Sequence, residues 1–164
     1  MPEILLTELI EGPAVERLGE RYEVTCLPDI WRNPVGLRTA MQDVRAVIVR
    51  NQTQLTRELI ENAKQLEVIG RAGAGLDNID TNYCKNKEIY VQPATGMNAD
   101  SVVEYVVSCS LSLIKKIPLF NNGTTKGEWP RTKIKSEEIN GKNLGLIGYG
   151  YIGKKVSKYC SNLG

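Results

Sequence analysis

The sequence predicts an α/β protein in which a parallel sheet with helices on both faces is followed by the opening of a second α/β unit. Three observations carry this. Short apolar stretches alternate with amphipathic ones through the first ninety residues, and that alternation specifies a parallel sheet. Gly70, Gly73 and Gly75 fall within six residues directly after one of those apolar stretches, and the carboxyl ends of strands are where open α/β sheets bind ligands. Gly148-x-Gly150-x-x-Gly153 follows the apolar stretch Leu144-Gly145-Leu146-Ile147 and precedes an amphipathic run.

Residues 3–9 read as a first strand, 13–18 as one or two helical turns and 22–27 as a second strand with alternation at Tyr22, Val24 and Cys26. After the Asn33-Pro34 break, 35–41 forms a helix, and Ala46-Val47-Ile48-Val49 is a near-continuous apolar run expected to be buried on both faces. Thr56 is an N-cap for a helix over 57–63 with Leu59, Ile60 and Ala63 on one face, and 66–69 is the next strand. Asp80 caps a short helix to Lys85, and 89–91 is a further strand. Asn98-Ala99-Asp100-Ser101 introduces a long apolar helix over 102–117 that Pro118 closes; 121–127 is turn-rich, and Trp129-Pro130 leads through a charged loop to the last strand, 144–147. A helix over 156–163 completes the pattern.

In a strand–turn–helix context each glycine of the 148–153 motif has its own reason. The first permits a tight turn, the second lets backbone approach a pyrophosphate, and the third lets helix and strand pack closely. The diphosphate then sits on unpaired N–H groups at the helix start. The alternative is a glycine-rich turn that binds nothing. An acidic residue that grips the adenosine ribose belongs ~20 residues beyond such a motif, whereas the sequence stops eleven residues after Gly153. The expectation is a fragment of a longer chain.

Of the 164 residues 41% are apolar and 24% charged, the composition of a globular protein. No run of about 18 apolar residues exists and the start lacks the basic, long-apolar pattern of a signal peptide, so no membrane span and a cytoplasmic location are expected. Cys26, Cys84, Cys109 and Cys160 are scattered, with no CxxC pair and no histidine in the chain. They are expected to be reduced, largely buried thiols, and no metal site is expected. Residues 1–80 carry 9 basic and 13 acidic groups, and residues 81–164 carry 12 and 6. The asymmetry suggests two units; the dispersed lysines, without an aromatic-basic stripe, exclude nucleic acid as a partner.

The ordered set Val49-Arg50-Asn51, Arg71-Ala72-Gly73-Ala74-Gly75-Leu76-Asp77-Asn78-Ile79-Asp80, Asn98-x-x-Ser101-Val102-x-Glu104, Gly127-x-Trp129 and Gly148-x-Gly150-x-x-Gly153 resembles the NAD-dependent D-isomer-specific 2-hydroxyacid dehydrogenases. The first two segments look most like the 3-phosphoglycerate dehydrogenase branch. The resemblance covers essentially the whole chain. It implies a flavodoxin-like substrate domain over 1–95 and, over 96–164, the first part of a Rossmann NAD-binding domain entered by the long helix.

The resemblance also implies roles. Backbone N–H groups of Gly73, Ala74 and Gly75 hold the substrate carboxylate, with Ala74 also against the nicotinamide. Arg50, beside Asn51, pairs with an anionic substrate group. Asn98 and Ser101 line the substrate cleft. Gly148, Gly150 and Gly153 carry the dinucleotide, with Tyr151 and Ile152 along its pyrophosphate. Structural alternatives stand beside these: Arg50 as the partner of an acidic neighbour, Asn98 and Ser101 as a helix cap alone, Glu104 as a first-turn acid complementing the helix dipole, Asp77 and Asp80 as turn and cap residues. Gln92 and Asp100 depart from the family, which often has Asn and a basic residue there.

The family's general acid–base histidine, its acidic partner and its carbonyl-polarising arginine lie in the second half of the Rossmann domain, so no catalytic residue is carried over to this chain. The implied function is oxidation of a D-2-hydroxy acid such as 3-phosphoglycerate with NAD, the full-length enzyme being a homodimer and these 164 residues being inactive alone. A non-catalytic dinucleotide- or protein-binding module, corepressor-like or a partner subunit, is the alternative; a non-functional truncation is the third.

Overall fold

The computed structural model describes residues 3–164. The chain divides into two compact units, Met1–Thr95 and Gly96–Gly164.

The first unit is built on five parallel strands, β1 (Ile4–Leu6), β2 (Val24–Cys26), β3 (Ala46–Val49), β4 (Val68–Arg71) and β5 (Tyr90–Pro93), in the order β2-β1-β3-β4-β5. This is the flavodoxin-like order, in which direction of travel across the sheet reverses at β1 and β3. Ile4 pairs with Val24 on one side and Ala46 on the other, Ala46 with Val68, and Val68 with Tyr90. Four helices connect the strands: α1 (Pro13–Gly19), α2 (Pro34–Ala40), α3 (Arg57–Asn62) and α4 (Thr81–Asn86). A short 3-10 turn at Ile30–Arg32 precedes α2.

The core lies on one face of the sheet. Leu5, Val47, Val49 and Ile69 meet Leu37 from α2, Met41 at its C-cap, Ile60 from α3, and Tyr83 and Cys84 from α4. The opposite face, where Ile4, Ala46, Ile48 and Val68 lie with Leu18 of α1, holds a cavity of about 400 Å³. The expected burial of Ala46–Val49 on both faces is therefore corrected: Val47 and Val49 are buried, whereas Ala46 and Ile48 are half-buried.

Two expected caps form. Thr56 accepts a hydrogen bond from the Leu59 N–H and opens α3, and Asp80 accepts one from the Tyr83 N–H and opens α4. We expect Asp80→Ala to lower the unfolding free energy by about 1 kcal/mol, the usual worth of such a cap, measured by urea denaturation at neutral pH.

The second unit consists of α5 (Ala99–Lys115), α6 (Ile117–Thr125), a 3-10 turn at Pro130–Thr132 and α7 (Tyr151–Ser161). Lys116 takes the left-handed conformation, φ +55°, and ends α5. Pro118 does not terminate the structure; it stands in the first turn of α6, where a missing N–H costs no helical bond. The segment 121–127, read as turns, is largely the end of this helix. α7 lies against α5: Val103 and Val156 are buried, and Lys155 Nζ donates to Asp100 Oδ1 at 2.6 Å.

The strand expected over 144–147 is not formed. Leu144, Leu146 and Ile147 are exposed, and among the described residues no strand of the second unit stands beside them to complete a ladder. The helix expected over 156–163 begins five residues earlier, at Tyr151, directly on the glycine motif.

Among the cysteines only Cys84 is buried; Cys26 is exposed on β2, at the sheet edge, and Cys109 and Cys160 are half-buried. All four are free thiols, and no metal-binding cluster occurs among the described residues. Among those residues no helix is long and apolar enough to cross a membrane.

Candidate functional site

Because the strands are parallel, the loops leaving β1, β3 and β4 emerge at one edge of the sheet. Glu8 ties the first two together. Its side chain is 5% exposed, and its two oxygens accept four backbone hydrogen bonds from the loop after β3: Oε1 from Arg50 at 2.8 Å and Thr53 at 3.0 Å, Oε2 from Asn51 at 3.2 Å and Gln52 at 3.1 Å. Burial alone pushes the carboxyl up, but the bonds from Thr53, Gln52 and Arg50 outweigh it and hold Glu8 below its ordinary value. Thr7 and Thr53 share a buried hydroxyl contact of 2.7 Å.

The loop after β4 closes the same assembly from the other side. Asn78 Nδ2 donates to the carbonyls of Arg50 at 3.1 Å and Thr53 at 2.7 Å, and the Asn78 carbonyl accepts from the Leu55 N–H at 2.8 Å. The 50–53 loop is thus held by its N–H groups on one side and its carbonyls on the other.

Arg50 and Asn51 are exposed at this edge. The Arg50 guanidinium donates to the Leu9 carbonyl at 3.3 Å. The acidic neighbour of the structural alternative is present, as Glu8, but it engages the Arg50 backbone, and among the described residues no carboxylate pairs with the guanidinium.

In the glycine loop after β4, the Gly73 N–H donates to the Arg71 carbonyl at 2.8 Å and is committed internally. Ala74 and Gly75 are exposed, and neither donates its N–H to a backbone carbonyl. The Arg71 side chain folds over this loop: a Cβ on Gly73 would stand 1.4 Å from Nη1. Its Nε is buried without a partner.

In the second unit the motif glycines have distinct environments. Gly148 has φ +93°, a left-handed conformation that side chains resist. Gly150 is the N-cap of α7, and a Cβ there would meet nothing within 4 Å. A Cβ on Gly153 would stand 2.4 Å from the Gly148 carbonyl oxygen, so a hydrogen is all that fits between turn and helix. The first N–H groups of an α-helix have no intrahelical acceptor and sit at the positive end of its dipole; here those are the N–H groups of Tyr151, Ile152 and Gly153. Tyr151 and Ile152 are exposed. Lys155 Nζ lies 5.3 Å from the centre of the Tyr151 ring, and its bond to Asp100 raises its proton affinity.

Asn98 occupies the N-cap position of α5, but its side chain makes no capping bond. Asn98 and Ser101 are both exposed.

Sequence reasoning assigned no role to Glu8, Asn78 or the Arg71 side chain. For Glu8 the one available signal was its place immediately after a buried strand. For Asn78 there was none, since Gly75-Leu76-Asp77-Asn78 reads simply as a turn.

A flavodoxin-like sheet, followed in the same chain by a glycine turn that opens a helix, defines the α/β class of the protein. The family described as D-isomer specific 2-hydroxyacid dehydrogenase, catalytic domain, matches residues 4–154, and the chain belongs to it. It is 37% identical to the (S)-sulfolactate dehydrogenase of Chromohalobacter salexigens over all of this chain and 53% of the relative. It is 36% identical to the D-3-phosphoglycerate dehydrogenase of Methanocaldococcus jannaschii over all of this chain and 31% of the relative. The crystal structure of a D-lactate dehydrogenase from Aquifex aeolicus complexed with NAD and lactic acid superposes with a TM-score of 0.83 at 25% identity, covering 98% of this chain and 49% of that one. The chain therefore spans about half the length of the first of these relatives and about a third of the second.

Proposed function

We propose that these residues supply the substrate-anion and diphosphate sites of an NAD-dependent oxidoreductase acting on the CH–OH group of a D-2-hydroxy acid. NAD, when bound, would supply the hydride acceptor for such an oxidation to a 2-oxo acid. The observation that carries the reading is the presence, at the strand ends of one sheet, of Ala74 and Gly75 N–H groups that donate to no backbone carbonyl among the described residues and of an Arg50 guanidinium that no carboxylate among those residues pairs.

Two donors of different kinds suit a substrate with two anionic groups. The backbone N–H groups take the carboxylate, and the guanidinium takes the second anion in a bidentate way. Phosphoglycerate and sulfolactate, named in two relatives, are both three-carbon acids of this kind. We assign the substrate to the 3-phosphoglycerate class, with Asn51 and Gly73 of the first unit beside the Arg50, Ala74 and Gly75 donors. Gly148, Gly150, Tyr151, Ile152 and Gly153 of the second unit take the NAD diphosphate. A cytoplasmic enzyme of serine biosynthesis, dimeric at full length, is the corresponding setting.

The test is calorimetric titration of the 164-residue chain with 3-phosphoglycerate and with D-lactate. Arg50→Ala weakens 3-phosphoglycerate about 10- to 100-fold, since a charge-assisted hydrogen bond is worth about 1.5–3 kcal/mol, and leaves D-lactate unchanged. Equal affinity of wild type and Arg50→Ala for 3-phosphoglycerate contradicts the assignment. The chain contains no histidine, and an acid–base group contributes about 10²- to 10⁴-fold to such a reaction, so mixing the chain with NAD and substrate yields no absorbance of NADH. Turnover by the chain alone overturns this expectation, and NAD binding without any hydroxy-acid binding favours the non-catalytic module.

A further inference from the structure

We propose that Glu8 is a positioning residue for anion binding: its buried carboxylate, with Asn78 opposite, fixes the 50–53 loop so that the Arg50 guanidinium and Asn51 amide face the ligand. The inference rests on the assignment of Arg50 and Asn51 to the substrate.

The geometry separates this from an ordinary buried acid. Four consecutive backbone N–H groups, Arg50 through Thr53, converge on one carboxylate within 2.8–3.2 Å. Successive N–H groups turned to one side form a concavity that receives an anion, and here the protein's own side chain occupies it. The loop backbone is therefore spent, and the charge left for an incoming anion is the Arg50 side chain. Asn78 Nδ2 pins the Arg50 and Thr53 carbonyls at the two ends of the same segment. The loop is constrained at every residue by groups from two other loops, so the position of the Arg50 Cα is set by Glu8 and Asn78 rather than by the ligand.

The sign of the electrostatic effect makes the role testable. Glu8 is an anion close to an anion site, so removing its charge without moving the loop strengthens anion binding by about two- to threefold, the worth of one charge at several ångströms in water. Gln at position 8 keeps the size but turns an amide N–H₂ toward backbone N–H donors, so the concavity no longer closes and the guanidinium loses its fixed origin. Misplacement of a bidentate donor by about 1 Å costs up to about a hundredfold. The two effects oppose each other, and the direction of the change reports which one acts.

The experiment is calorimetric titration with 3-phosphoglycerate of the wild-type chain, Glu8→Gln, Asn78→Ala, Arg50→Ala and Ile60→Ala, with melting temperatures recorded alongside. Ile60 is buried in the core of the same unit and controls for stability loss. At a temperature where each variant is folded, Glu8→Gln weakens binding at least tenfold and Asn78→Ala does so in the same direction, while Ile60→Ala leaves the affinity unchanged despite its lower melting temperature. Unchanged or tighter binding by Glu8→Gln overturns the positioning role, and if Glu8→Gln does not fold, unchanged binding by Asn78→Ala does so. Should Arg50→Ala bind as wild type, or the wild type not bind at all, the substrate assignment itself falls; full loss in Arg50→Ala beside an unaffected Glu8→Gln removes the positioning inference alone.

Discussion

Gly153→Ala loses NAD affinity and destabilises the second unit together, whereas Gly150→Ala loses affinity alone. At position 153 an added methyl would stand 2.4 Å from the Gly148 carbonyl oxygen, so the turn and α7 separate by more than half an ångström. Overpacking of this kind costs about 1–3 kcal/mol, and it shifts the N–H groups that face the diphosphate, so affinity falls about tenfold or more. At position 150 the methyl meets nothing within 4 Å and φ is −80°, which an alanine adopts freely. Stability is retained there, but the methyl occupies the space through which a diphosphate reaches the helix start. Thermal denaturation with calorimetric NAD titration separates the two. A glycine turn that binds nothing gives no difference in ligand affinity between either variant and the wild type.

Glu8→Gln lowers the unfolding free energy at neutral pH by about 2–4 kcal/mol, because charge-assisted bonds are lost and a donor is set against buried donors. The pH dependence has a fixed sign. Glu8 is held below its ordinary carboxylate value in the folded state, so its contribution is fully present above the unfolded value, about 4.3. It is lost as pH falls through the folded value. Wild-type stability therefore declines from about pH 5 downward, and Glu8→Gln, lacking the group, declines less steeply over that interval. Urea titrations at a series of pH values measure both curves; parallel curves contradict this role for the Glu8 charge.

The strands and most helix positions of the first unit were legible because they rest on local patterns, whereas the flavodoxin-like order of the sheet was implied only by the resemblance. Val47, Val49, Leu37 and Ile60 follow the apolar periodicities, and Thr56 and Asp80 stand where caps are expected. The boundary misses have physical causes. Strand-forming residues at 144–147 stay unpaired because pairing depends on a neighbour that local sequence does not encode, and Pro118 was read as a stop although the first turn of a helix tolerates it. Within the glycine motif the structure shows a conformational requirement at Gly148, φ +93°, and a steric one at Gly153, whereas a Cβ at Gly150 would meet nothing within 4 Å, so the reason read there concerns a ligand and not the fold.

The loop clamp was not legible. Glu8 and Arg50 are 42 positions apart and Asn78 is 28 beyond Arg50. Only the parallel sheet brings their loops to one edge. An acid beside an arginine in space invites the reading of an ion pair, whereas the carboxylate is consumed by backbone N–H groups.

The account stands most directly on where the dinucleotide binds. Titration of isotope-labelled chain with NAD, followed through its backbone amide resonances, reads that position residue by residue. The account predicts saturable shifts at about millimolar NAD, a concentration ordinary for such ligands, centred on the amides of Gly150, Tyr151, Ile152 and Gly153 and lost in Gly150→Ala. Shifts that leave those four amides in place, or that persist unchanged in Gly150→Ala, contradict it.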